Sequence, residues 1–106
     1  MQPKILIVGC DQAHLDSVVR TLSADDLQVS ATSEPNQIRT VFDKFSPDIV
    51  VVSADAPDGV RHSIESLIHE CQSSFSVHWQ PREGRADSLD ETVHAVAKRW
   101  LEYNAQ

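Results

Sequence analysis

Basic residues are in short supply. The 106-residue chain has 9 Lys and Arg against 16 Asp and Glu, a formal net charge of -7. A surface built to follow a phosphate backbone carries the opposite balance, so nucleic-acid binding through this domain is not expected. The charge favours solubility and basic partners. Cysteine is scarce as well: only Cys10 and Cys71 occur, with no CxxC spacing. They read as reduced, buried small residues of a cytoplasmic protein, although spacing alone leaves a disulfide open. No long apolar run is present. The stretch ILIV at 5–8 is only a strand's length, so neither a signal peptide nor a membrane span is expected, and no membrane partner. Glycine is rare too, and a dinucleotide fingerprint needs several glycines at fixed positions where only Gly9 stands.

What remains is an ordinary globular composition, 41% apolar, of a size for a single domain over residues 1–106. KILIV at 4–8 is a continuous apolar run that suits a buried parallel strand, closed by Gly9. Asp11 is a good N-cap, and Leu15, Val18, Val19 and Leu22 predict a helix over 12–23. LQVSAT at 27–32 alternates, as an edge strand does. Ser33 is the expected cap of a second helix, with Pro35 in an early position. Ile38, Val41, Phe42 and Phe45 form its buried face, and Ser46-Pro47 ends it.

DIVVVSA at 48–54 is the most apolar strand and should lie inside the sheet, covered on both faces. A loop ADAPDG at 54–59 follows, then a helix marked by Val60, Ile64, Leu67, Ile68 and Cys71. FSVHW at 75–79 is a fourth strand, PREGRAD at 81–87 a polar loop. The last helix opens at Ser88, whose spacing to Glu91 is that of a capping box. Leu89, Val93, Val96, Ala97 and Trp100 line its inner face, which Tyr103 would close. The order βαβαβαβα implies an α/β fold: a parallel sheet between two layers of helices, with strand order 2-1-3-4.

Ligands of such sheets bind beyond the carboxyl ends of the strands. There the sequence offers Gly9, Cys10 and Asp11, then Ser53, Asp55 and Pro57, then His78, Gln80 and Arg82. Asp11 with Asp55 is the one pair suited to Mg²⁺. The plainer reading makes Asp11 a helix cap and gives Asp55 a turn hydrogen bond. Cys10, at a strand end and helix start, sits where a thiol pKa can be lowered, but no histidine partner can be assigned to it. The five histidines form no metal-ligand pattern, and His62 and His69 read as solvated helix residues. His78 reads as a structural histidine near the sheet's end. Neither cofactor nor metal is expected. His78, Trp79 and Arg82 form the candidate interface for a protein partner or homodimer, with Trp79 as anchor. Trp100 is expected to fasten the last helix to the core.

PKILIVGCD at 3–11, FSPDIVVVSADAPDG at 45–59 and SLDETVHAVAKRWL at 88–101 together resemble the receiver domains of bacterial response regulators. The resemblance implies a flavodoxin-like fold, here shortened to four strands because PREGRAD replaces a helix and a strand. It also implies what is missing. The acidic pair after the first strand falls on Gly9 and Cys10, with Asp11 one place further. The phosphoacceptor aspartate falls on Ser53, while Pro57 keeps its place and Gly59 comes early. HWQ at 78–80 lacks the Thr or Ser of the fourth strand. The lysines, Lys4, Lys44 and Lys98, follow no strand. Aspartyl phosphorylation needs a carboxylate, a divalent metal and a cation. The resemblance therefore implies a degenerate receiver, not an enzyme, that binds a protein partner in signalling without phosphorylation. The alternative is a cryptic Mg²⁺-dependent phosphoacceptor using Asp11 and Asp55.

Overall fold

The computed structural model describes residues 3–25, 27–71, 77–80 and 89–104. Four strands, β1 (Lys4–Val8), β2 (Gln28–Thr32), β3 (Ile49–Val52) and β4 (Val77–Trp79), form one sheet in the order β2-β1-β3-β4. All three pairings are parallel, with Ile5 opposite both Val29 and Ile49, and Val52 opposite Trp79. The helices are α1 (Gln12–Ala24), α2 (Ile38–Phe45), α3 (Asp58–Cys71) and α4 (Leu89–Asn104). The expected order and the interior place of β3 both hold.

The apolar runs of β1 and β3 are explained by what covers them. Strand side chains alternate between faces. Ile5, Ile7, Ile49 and Val51 pack with Leu15, Val18 and Leu22 of α1 and with Leu89, Val93, Val96 and Ala97 of α4. Leu6, Val8, Val50 and Val52 pack on the other face with Ile38 of α2 and Ile64 and Ile68 of α3. A strand with helices on both faces has no polar side to show. Trp100 packs against the first cluster, as expected. Tyr103 does not close that face: it is 82% exposed.

Several expected boundaries move. Ser33 caps no helix. Its hydroxyl donates to Gln12 Oε1 at 2.8 Å, while the Thr32 hydroxyl accepts from the Glu34 amide. A short 3-10 turn, Pro35–Gln37, then leads into α2. Helix α2 ends at Ser46, whose left-handed backbone (φ 50°) sends the chain into Pro47. Gly59 lies not in a loop but in the first turn of α3, which starts at Asp58. Residues 75 and 76, PREGRAD with Arg82, and Ser88 lie outside the described residues.

Candidate functional site

The carboxyl ends of β1, β3 and β4 meet at one mouth, and backbone bonds run the sheet one residue past each strand. Ser53 N donates to Val8 O at 2.8 Å, and Gln80 N to Val52 O at 2.9 Å. Gly9, Ser53 and Gln80 are thereby held side by side. Gly9 is required by close approach. A β-carbon there would stand 3.0 Å from Ser53 Cβ, 3.1 Å from Leu15 Cδ2 and 3.2 Å from Asp55 Oδ1.

Ser53 is only 3% exposed. Its hydroxyl lies 3.5 Å from Gln80 Oε1 and 3.5 Å from the Asp55 amide, which donates to it. Gln80 Oε1 accepts a shorter bond, 2.8 Å, from the Ala54 amide. The Gln80 side chain thus fills the position beside Ser53 and accepts from a loop amide. The sequence places Gln80 near this end but not its role, which follows from the register: Val52 opposite Trp79 puts Gln80 beside Ser53.

Asp55 differs from expectation. It makes no local turn bond through its side chain but reaches across to the loop after β1. Oδ1 accepts from Cys10 N at 3.3 Å and Oδ2 from Asp11 N at 3.2 Å. Asp11 does cap α1, accepting from His14 N at 3.2 Å. The two acids singled out from the sequence are therefore brought to one edge, each engaged by backbone donors. Among the described residues, no group of three or more His, Cys, Asp or Glu could hold a metal ion. Pro57 is exposed and precedes α3, and its carbonyl accepts from Arg61 N.

The cysteines are corrected in burial. Cys10 is exposed and Cys71 half-buried, and both are free thiols. Nor is Cys10 activated: desolvation, and after it the Asp55 charge, push its thiol pKa up rather than down. His78 is half-buried in β4. Burial first, and the positive charge of Arg99 second, lower its pKa. His62 and His69 are exposed, as expected.

Among the described residues strand β4 is an edge of the sheet, and the half-buried Trp79 packs against the α2–α3 face. The Arg61 guanidinium lies 4.9 Å from the Trp79 ring centroid, a cation–π arrangement. With Asp58, His62 and Glu65 these two line a cavity of about 280 Å³. The sequence reading missed Arg61. The signal was its phase, three residues before Ile64 and seven before Ile68 on the buried side of α3. A hollow of about 890 Å³ opens elsewhere, between the C-terminal ends of α2 and α3, beside the Arg39–Glu70 ion pair. It lies next to Asp48, at the start of β3 rather than at its carboxyl end.

No helix among the described residues is long and apolar enough to cross a membrane. Compared with known proteins, the chain matches no protein-family model and no curated protein.

Proposed function

We propose that the chain is a degenerate receiver-like module that binds a protein partner without being phosphorylated, in a signalling role in the cytoplasm. One observation carries this reading. At the position where the resemblance to receivers puts the phosphoacceptor stands Ser53, 3% exposed and closed in between Gln80 and the Asp55 amide. A phosphoryl donor needs an exposed nucleophile with a base or a low pKa, and a buried hydroxyl bonded to a carboxamide has neither. The free cysteines suit a reducing compartment.

A second reading, a Mg²⁺-dependent phosphoacceptor at Asp55, is favoured by the contact of its carboxylate with the Asp11 amide, which gathers two acids at one edge. Intact-mass measurement after incubation with acetyl phosphate and Mg²⁺ separates the two. The module reading expects no gain in mass. A gain of one phosphoryl group that disappears in Asp55→Asn overturns it in favour of the second.

A further inference from the structure

Helices α1 and α4 lie side by side on one face of the sheet, within the cluster that holds Leu15, Val18, Leu22, Val93 and Ala97. A polar contact bridges them. His94 Nε2 stands 3.0 Å from Asp25 Oδ2, between residues 69 positions apart in the chain. Asp25 is the C-cap of α1, and its amide donates to Leu22 O at 3.0 Å. A carboxylate at that end of a helix faces the negative pole of the backbone dipole, where a cation is favoured. The last turn of α1 has no basic residue of its own. A cation there must come from another element, and His94 is placed to supply it.

An imidazole supplies it only when protonated. Both side chains are about half exposed, 46% for His94 and 51% for Asp25, so protons reach the pair freely and salt screens it. On α4 itself Asp90, Glu91 and Lys98 stand one turn from His94. The sheet beneath presents the apolar Ile5, Ile7, Ile49 and Val51. Arg99, five residues on, falls about 140° around the helix, on the other flank. There burial first and Arg99 second lower the His78 pKa, so acid opposes the packing on that side.

We propose that His94 and Asp25 form a pH-sensitive latch, which fastens α4 to the end of α1 when the imidazole is protonated and slackens when it is neutral. Total stability does not report the latch, because His78 works in the opposite sense. The test is a double-mutant cycle of His94→Gln and Asp25→Asn, read from urea unfolding at about pH 5.5 and pH 8, either side of an ordinary imidazole. A coupling of about two- to fivefold in the folding equilibrium is expected at the lower pH, shrinking at the higher. A coupling that is absent at the lower pH, or no larger there than at the higher, overturns the latch. Amide exchange at the lower pH supplies a second reading: Asp25→Asn should release the α4 amides ahead of those of α2 and α3. An equal loss of protection in all three helices overturns the assignment to α4.

Discussion

A methyl group at position 9 has nowhere to go. Of the three nearest atoms, Leu15 Cδ2 belongs to α1, while Ser53 Cβ and Asp55 Oδ1 belong to the loop after β3, and moving that loop disturbs the Asp55 bonds to Cys10 and Asp11. Gly59 is the opposite case: a β-carbon there meets nothing within 4 Å, and the residue is helical. Gly9→Ala is expected to lower stability by about 1–3 kcal/mol through overpacking. Gly59→Ala should raise it by about 0.5–1 kcal/mol by restricting the unfolded chain. Urea midpoints moving in opposite directions check the pair. The sequence could not show which glycine is crowded: Gly9 closes an apolar strand and Gly59 a polar loop, and neither pattern reports the atoms that would surround a β-carbon. His78 adds a pH dependence. Its folded pKa is lowered, so as pH falls the unfolded chain takes the proton first. The stability this group contributes is complete above the ordinary imidazole value of about 6.5 and is lost as pH falls through the folded pKa. The wild type should therefore lose stability more steeply than His78→Gln between about pH 7 and pH 5. Parallel slopes in denaturant titrations at each pH would refute this.

Elements with one strong pattern were legible; those shaped by a single backbone angle were not. Ile49–Val52 announced its place because four branched residues in a row leave no polar face. The helix stripes of α1, apart from Val19, and of α4, apart from Tyr103, likewise match residues of the core cluster. The entry to α2 was misjudged because Thr32 and Ser33 are chemically alike, and only the chain path decides which hydroxyl turns back on the backbone. Its exit was read correctly from Ser46-Pro47, but not the left-handed angle that Ser46 adopts. That conformation crowds a β-carbon and costs about 1–2 kcal/mol in a non-glycine residue. The hydroxyl recovers little, with its contact to Phe42 O at 3.4 Å. Ser46→Gly should accordingly raise the thermal midpoint despite glycine's freedom in the unfolded state, and Ser46→Ala should not. A fall in Ser46→Gly would mean that the hydroxyl contact outweighs the strain.

At the scale of the whole molecule, the strand order followed from ranking strands by apolarity, which is a global property of the sequence. The mouth did not follow, because it depends on which loop ends are neighbours in space. Asp55 lies 44 residues from Asp11, and Gln80 26 residues from Ala54. No local spacing reports such contacts; only the register of parallel strands does. The same contacts alter how the molecule opens. Cys10, Asp11 and Ala54 lie in loops, yet each amide is closed by a side chain from a different segment. Loop amides ordinarily exchange with solvent deuterium through small local fluctuations. Here the Ala54 amide is bonded to the side chain of the residue that follows β4, so it should exchange more slowly than an unbonded loop amide. In Gln80→Ala that amide should exchange early while the β3 amides keep their protection. The mouth would then be protected under exchange by contacts between segments, though by sequence it is three separate turns.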